Sequence, residues 1–177
     1  MTVLNVAGLL REAPGAVREV RLRDRYLSLG PDVELAGPLN GKLSFQRTNR
    51  GVLVRGEIEA AVRRTCARCL EAFVEPSSIR ISEEFLPSID PETGRAVEHD
   101  ADDPTALLID DHHEIDLTPV IREEFALAEP MHPLCRPDCP GLCPECGARL
   151  DADHAAHATE ELDPRLASLA RFLDRDN

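Results

Sequence analysis

Residues 51–73 read GVLVRGEIEAAVRRTCARCLEAF, and this stretch decides the fold. Apolar side chains recur at every second position over 52–62, which is the period of a strand with one face in a core. The alternation stops at the CARC sequence of 66–69 and returns over 79–85. The stretch therefore predicts two strands joined as a β-hairpin, with a C-x-x-C turn at its tip.

The segments before this hairpin carry the same signal. Leu43 and Phe45 alternate with polar residues, and an Asn-Arg-Gly turn follows them. Farther upstream, Val20 and Leu22 are expected to point inward from another strand. We therefore expect a mostly antiparallel sheet or small barrel over residues 1–86.

An acidic stretch and a helix follow the predicted sheet. Residues 87–116 hold ten acidic side chains and one arginine, and we expect most of them to form a mobile acidic loop. A helix is predicted from Thr118, whose hydroxyl is a typical cap, with Pro119 in its first turn. Pro130 ends this helix. Its apolar face is formed by Leu117, Val120, Ile121 and Phe125.

The third predicted part, residues 117–177, is helical and rich in cysteine. Proline and cysteine are dense over 131–150, which disfavours a regular helix or strand there. The pair Asp163-Pro164 predicts the start of a final short helix. Its apolar face is formed by Leu162, Leu166, Leu169 and Leu173.

Composition and charge limit the function classes. The 177 residues carry 33 acidic and 20 basic side chains, a formal net charge of −13. Residues 1–80 hold 13 basic and 9 acidic side chains, whereas residues 81–177 hold 7 basic and 24 acidic ones. The first part could therefore face a polyanion, and the second would suit a basic partner. Only 3% of the residues are aromatic, with one Tyr and no Trp, which disfavours a base-stacking platform.

The sequence lacks the patterns typical of membrane proteins, exported proteins and common enzyme classes. No apolar run approaches the roughly 18–20 residues of a membrane span, and the opening MTVLNVAGLLREAPG does not have the form of a signal peptide. We expect a soluble cytoplasmic protein with no membrane partner. The sequence has no Gly-rich phosphate loop, nucleophile elbow or Ser/His/Asp arrangement, so a non-enzyme is expected.

Six cysteines carry the chemistry of the chain: Cys66, Cys69, Cys135, Cys139, Cys143 and Cys146. A C-x-x-C pair turns both thiolates toward one point, and Zn²⁺ binds four such ligands in a tetrahedron at about 2.3 Å. Downstream lie His154 and His157, whose neutral imidazoles zinc also accepts. Eight ligands suffice for two closed sites, which predicts structural zinc. The predicted fold class is α+β, a mostly antiparallel sheet or small barrel followed by helices and a zinc-binding cysteine segment.

Two divisions of these ligands are open. One groups the last four cysteines as a local site. The other gives one ion to the first four cysteines, and a second ion to the last two cysteines with both histidines. We favour the second division because it uses every ligand and joins the β part to the C-terminal part. Disulfides are disfavoured in a chain not marked for export, and a redox C-x-x-C usually lies at a helix N-terminus rather than between strands.

Five segments together resemble the YceD-like family, named for large ribosomal RNA subunit accumulation. They are NVAGLLREAPG (5–15), the hairpin stretch quoted above, IDLTPVIREEFALAEPMHPLC (115–135), CPGLCPECGARLD (139–151) and DPRLASLARFL (163–173). They follow the family's order over nearly the whole chain. Many relatives carry a further cysteine pair where this chain has its two histidines. The resemblance implies a non-enzymatic factor for 23S ribosomal RNA processing or accumulation, acting on ribosomal RNA or a large-subunit precursor.

The charge division suggests where RNA would bind. Six arginines of the hairpin and its flanks are candidates for phosphate contacts: Arg47, Arg50, Arg55, Arg63, Arg64 and Arg68. Exposed strand faces also carry arginine in proteins that bind no RNA. The pattern alone therefore fits either an RNA-binding surface or an ordinary solvent-exposed face. Two further functions are open. One is a zinc-ribbon-like interaction module that binds a basic ribosomal protein or another protein partner, and the other is a C-x-x-C thiol oxidoreductase.

Overall fold

The computed structural model of the chain describes residues 2–97 and 107–150, together with His154 and His157. Its strands are β1 (Val3–Asn5), β2 (Val17–Arg25), β3 (Glu34–Leu35), β4 (Leu39–Arg47), β5 (Val52–Thr65), β6 (Ala72–Pro87), β7 (Leu107–Ile109) and β8 (Glu114–Asp116). Its helices are α1 (Ala7–Leu10) and α2 (Thr118–Leu127).

Six of the strands form the main sheet, in the order β2-β4-β5-β6-β7, with β3 also paired to β5. Every pairing in it is antiparallel except that of β6 with β7, which is parallel. The two end strands do not pair with each other within the described residues, so the sheet is open. The expected mixed α+β fold, dominated by an antiparallel sheet, agrees with this architecture, and the small-barrel alternative is wrong.

The core lies on one face of the main sheet. The cross-strand pairs Phe45–Val54, Ile58–Ile79 and Val52–Phe85 place their side chains on this face, and five of these six are at most 2% exposed. Each large apolar side chain buried in this way contributes about 1.5–3 kcal/mol. The other face carries the charged residues of the alternating pattern and is open to solvent.

Helix α2 covers the buried face of the sheet. It begins at Thr118 as predicted, and it buries Val120, Ile121 and Phe125 against the core. The predicted cap is wrong, however. The Thr118 hydroxyl accepts a hydrogen bond from the backbone N–H of Thr2 at 3.1 Å, and Asp116 Oδ1 accepts one from the N–H of Thr118 at 2.9 Å. Thr118 therefore ties the helix to the start of the chain.

The segment 87–116 is not only a loop. Within it, β7 extends the main sheet beside β6, and β8 pairs with β1 in a separate two-stranded sheet. These strands of three residues each are too short for alternation to predict them, and β7 gains its hydrogen bonds only from a distant partner. The final helix predicted from residue 163 lies outside the described residues.

No helix in the described part of the chain is long and apolar enough to cross a membrane. The division of the chain into three parts at 86/87 and 116/117 stays a prediction.

Candidate metal centre

The C-x-x-C turn lies at the tip of the β5–β6 hairpin, as predicted. The two strands pair from Val52–Phe85 at the base to Thr65–Ala72 at the tip. There the backbone N–H of Cys66 donates to Glu71 O at 2.8 Å, and that of Leu70 donates to Cys66 O at 2.9 Å. These bonds close a tight turn that directs both thiols of the pair to one side.

Four cysteines meet at this tip: Cys66, Cys69, Cys135 and Cys139. The Sγ atoms of Cys66 and Cys139 lie 3.8 Å apart, as do those of Cys69 and Cys135. All four sulfurs lie within 4.8 Å of one another. Four sulfurs about 2.3 Å from one Zn²⁺ would be about 3.8 Å apart in a tetrahedron. A disulfide, by contrast, requires sulfurs about 2.05 Å apart, and all six cysteines are free.

The segment that carries Cys135 and Cys139 is positioned by two hydrogen bonds to the hairpin turn. The backbone N–H of Ala67 donates to Pro133 O at 2.8 Å, just before Cys135 in the chain. The Arg68 guanidinium donates to the carbonyl oxygen of Cys139 at 2.9 Å. The turn thus binds the segment after α2 by its backbone and by Arg68, in addition to the thiols.

Four further ligands meet in the segment after this group: Cys143, Cys146, His154 and His157. The backbone N–H of Cys143 donates to Ala148 O at 2.7 Å, and that of Gly147 donates to Cys143 O at 2.9 Å. Gly147 has a φ of +70°, a conformation that glycine adopts without a steric penalty. This second C-x-x-C turn therefore has a tight backbone of its own.

The histidines close the second group. The Nε2 atoms of His154 and His157 lie 3.3 and 3.2 Å from Cys146 Sγ. A tetrahedral zinc with sulfur at about 2.3 Å and nitrogen at about 2.0–2.1 Å would separate them by about 3.6 Å. The other ring nitrogen of His157, Nδ1, lies 3.3 Å from Glu145 Oε2. A carboxylate on the far nitrogen is the usual partner of a metal-binding imidazole.

The two groups differ in exposure. In the first, Cys66, Cys69 and Cys139 are at most 5% exposed and pack with Phe73 and Leu134. In the second, Cys143 is buried, but Cys146 and His157 are exposed. Cys135, the fourth ligand of the first group, is more exposed than the other three. An ion in the first group would therefore be shielded from solvent by three of its four ligands, and an ion in the second would lie nearer the surface.

Backbone amides favour the charged thiolates that a metal requires. The N–H of Cys135, and after it that of Cys69, lowers the pKa of the Cys66 thiol to about 6. The N–H of Cys146 likewise lowers the pKa of Cys143. Partial removal from water, together with the neighbouring thiols of Cys139 and Cys66, raises the pKa of Cys135 to about 12. Without a metal the first group would therefore carry thiols beside a thiolate, whereas four bound thiolates need a cation to offset their repulsion.

The grouping of the eight side chains is that of the second division proposed from the sequence. Each group offers four ligand atoms, and either could hold a metal ion. The donor sets are four thiolates in one case, and two thiolates with two imidazoles in the other. Both sets are typical of Zn²⁺ in structural sites.

Comparison with known proteins places the chain in a family. Residues 54–173, more than half of the chain, match the family model described as "Large ribosomal RNA subunit accumulation protein YceD". The chain belongs to the YceD family. The family's name links it to accumulation of the large ribosomal subunit RNA.

Mycobacterial relatives agree with this assignment. An uncharacterized protein of Mycobacterium tuberculosis (strain ATCC 25618 / H37Rv) is 37% identical over 131 residues, 74% of this YceD-family chain and 60% of the relative. An uncharacterized protein of Mycobacterium leprae (strain TN) is 31% identical over 144 residues, 81% of the chain and 63% of the relative. The chain thus spans less than two thirds of the length of these relatives. No solved structure matches it.

The arginines predicted to face RNA in this YceD-family chain have other partners in most cases. The clearest correction concerns Arg64, whose side chain is 4% exposed and pairs with Glu75 at 2.6 Å and Glu129 at 3.4 Å. A buried, doubly paired guanidinium does not reach a phosphate. Arg63 is exposed, but it pairs with Glu34 at 2.8 Å.

Two more of the six arginines support the backbone. Arg47 is half-buried and donates to the carbonyl oxygens of Leu10, Thr48 and Gly51. Arg68 holds Cys139, as described above. Arg50, Arg55 and Arg68 are exposed without an ion-pair partner among the described residues, whereas the other three arginines are paired or partly buried.

Two ion-pair contacts beside the metal groups were not predicted from the sequence. The carboxylate of Glu145 lies beside His157, and its position inside C-P-E-C, between two ligands, was a signal that could have indicated it. The Arg149 guanidinium forms an ion pair with Glu71 of the hairpin turn. That pair links elements 78 residues apart, and no local pattern predicts it.

Proposed function

We propose that this YceD-family protein is a non-enzymatic, cytoplasmic factor for 23S ribosomal RNA processing or accumulation, and that it carries two structural zinc ions. The first ion would be held by Cys66, Cys69, Cys135 and Cys139. The second would be held by Cys143, Cys146, His154 and His157. Its partner would be ribosomal RNA or a precursor of the large subunit.

The observation that carries the zinc proposal is the convergence of two complete four-ligand sets. A catalytic zinc keeps one position for water or substrate, with three protein ligands. Each group here has four protein ligands, which favours a structural role. The first set joins a hairpin tip to a segment 66 residues away, so a bound ion would fix the cysteine segment against the sheet. Binding energy at such a site acts as folding energy for the segments it joins.

The same geometry disfavours a thiol oxidoreductase. Thiol–disulfide exchange needs an accessible, low-pKa thiolate, commonly at a helix N-terminus. Cys66 has a low pKa, but it is fully buried among three other cysteines and follows a strand. If the pair were a redox centre, the purified protein would reduce insulin disulfides in the presence of glutathione, and Cys66→Ser would abolish the turnover.

A second candidate is a module that binds a basic ribosomal protein. It is favoured by the carboxylates that directly follow β7, where Asp110 and Asp111 are exposed. These residues lie at the end of the sheet opposite β2, so such a partner could be bound independently of RNA. Crosslinking in cells with identification of bound proteins would detect it.

The role in ribosomal RNA is tested by crosslinking the tagged protein to RNA in cells and sequencing the bound fragments. The proposal expects 23S fragments to be enriched over 16S fragments, and 23S rRNA to fall when the protein is depleted. Equal recovery of both rRNAs, with unchanged 23S levels after depletion, would contradict the proposed function.

A further inference from the structure

The strongest unassigned feature is the free edge of the main sheet, strand β2. Its sequence, VREVRLRDR, carries four arginines in nine residues. Arg21, Arg23 and Arg25 are exposed, and none of them forms an ion pair within the part of the chain that the structure describes. Arg18, by contrast, lies 3.8 Å from Glu12. Three free guanidinium groups therefore lie within five residues of one strand.

A β-bulge distributes these three arginines around the edge. Leu22 pairs with Gly41 and Arg25 pairs with Leu39, so Arg23 and Asp24 together face the single residue Asn40. Asp24 has a φ of +48°, and its N–H donates to Asn40 Oδ1 at 3.0 Å. Without the bulge, Arg21 and Arg25 would lie on the same face of the sheet. With it, Arg21 shares a face with Lys42, whereas Arg25 shares the opposite face with Leu39. With Glu19 and Asp24 counted, β2 has a net charge of +2, and its unpaired arginines lie on both faces of the edge.

Positive charge is concentrated here despite a cost to the sheet. Arg21 lies directly opposite Lys42, and like charges in cross-strand pairs destabilise a sheet. Glu19 accepts an ion pair from Lys42 at 2.8 Å but none from Arg21. A polyanion bound at the edge would offset this repulsion.

The order of the strands separates this edge from the acidic part of the chain. Strands β2 and β7 are at opposite ends of the sheet, four strand spacings or about 19 Å apart. The exposed carboxylates of Asp110 and Asp111 follow β7. The Debye length at physiological salt is about 8 Å, so most of their repulsion is screened at β2. A polyanion can thus approach the β2 edge although the whole chain has a net charge of −13.

An exposed aromatic ring ends the same strand. Tyr26, the only tyrosine of the chain, is 80% exposed and directly follows Arg25. It lines an open cavity of about 290 Å³ together with Leu27, Ser28, Leu35, Ala36 and Gly37. Proteins that bind single-stranded nucleic acid combine a positive track for the backbone with aromatic rings on which bases stack.

We propose that the β2 edge binds a single-stranded segment of RNA, with phosphates on Arg21, Arg23 and Arg25 and one base stacked on Tyr26. This inference rests on the proposed function for its biological context and replaces the hairpin as the RNA surface. An acidic peptide adding a strand to the same edge is the competing occupant. Arginine side chains spread around both faces of the edge favour a flexible phosphate backbone, and the exposed ring favours a base.

The test measures binding of the full chain to a labelled single-stranded oligouridylate of about 12 nucleotides by fluorescence anisotropy over a series of salt concentrations. The variant Arg21→Gln/Arg23→Gln/Arg25→Gln is expected to weaken binding and to reduce the slope of log K against log salt by about 2, at roughly 0.7 per lost phosphate contact. Tyr26→Ala should weaken binding about 5- to 150-fold, and Tyr26→Phe should restore it.

The matched control is Arg50→Gln/Arg55→Gln/Arg80→Gln, which removes the same charge from exposed arginines of the hairpin and of the turn that precedes it. The inference expects this control to bind nearly as the wild type does. Equal losses in both triple variants would mean that only net charge matters and would overturn the inference. Tyr26→Ala binding like wild type would also overturn it, and an exposed side chain makes misfolding an inadequate explanation there.

Two further outcomes separate the occupants and the two proposals. Tighter binding of an oligoglutamate than of the oligouridylate, lost in the β2 variant, would assign the edge to an acidic peptide and overturn RNA as the occupant. Enrichment of 23S fragments in cells by both the wild type and the β2 variant would overturn this inference alone. Absence of enrichment by the wild type would instead contradict the proposed function, whatever the oligouridylate shows.

Discussion

Replacing Arg64 with Met should destabilise the fold without a direct effect on RNA binding. The Arg64 side chain is 4% exposed, and its partners Glu75 and Glu129 are 30% and 45% exposed. Breaking a buried ion pair by removing one partner costs about 3–5 kcal/mol. Because water reaches both carboxylates, they remain partly solvated after the change. We therefore expect a loss of about 2–3 kcal/mol, with methionine retaining most of the aliphatic packing.

The assay is equilibrium unfolding in urea, with Arg63→Met as the matched control on the preceding residue of the same strand. Arg63 pairs with Glu34, and the two side chains are 46% and 65% exposed. Such a surface pair contributes about 0–1 kcal/mol, so this control should unfold close to the wild type. If Arg64→Met lost no more stability than Arg63→Met, the structural role of Arg64 would be refuted.

Three further predictions concern the metal groups and the sheet. Cys143→Ser should make the cysteine segment after α2 sensitive to protease while the sheet stays protected, because ligand loss removes folding energy locally; an unchanged cleavage pattern would contradict this. Glu145→Gln should weaken zinc affinity only at the second group, by about 10- to 100-fold in a chelator competition, with Glu123→Gln as a neutral control. Gly56→Ala should cost about 1–3 kcal/mol in urea unfolding, because its Cβ would overlap the Lys42 carbonyl oxygen, whereas Gly37→Ala, with open space around it, should cost less.

The parts of the fold that the sequence predicts are those set by local alternation and spacing. The β5–β6 hairpin follows from a two-residue period that is uninterrupted over most of β5, and its tip follows from the C-x-x-C turn. The start of α2 follows from Thr118-Pro119 and the apolar residues after it. In the hairpin and in α2 the apolar pattern extends over enough residues to distinguish a strand from a helix.

Long-range pairing accounts for the parts that were wrong. Whether the sheet closes depends on contact between β2 and β7, which no periodicity encodes. The strands β7 and β8 have three residues each and are stabilised by distant partners. The expected cap at Thr118 failed because Asp116, two residues earlier, accepts the bond from the helix N-terminus.

The arginines of the hairpin show that the position of a residue in the alternating pattern predicts its burial, which the composition alone does not. Arg64 is two residues after Val62, in phase with the buried side chains of β5, so its inward direction was readable from the sequence. Its partner Glu75 lies on the facing strand of the same hairpin, opposite Val62, but Glu129 lies 65 residues away beyond α2, and no local pattern indicates it. Among the described residues, exposed arginines without an ion pair lie both on β2 and on the hairpin and the turn before it, and only on β2 do three of them fall within five residues.

Counting bound zinc in single and double cysteine variants tests the central claim most directly. The account predicts two zinc ions in the wild type by native mass spectrometry or elemental analysis. Cys139→Ser and Cys143→Ser should each retain one, and the double variant should retain none, because these residues serve different ions. A single zinc in the wild type that either substitution removes would instead mean that the last four cysteines share one site, and it would contradict the account.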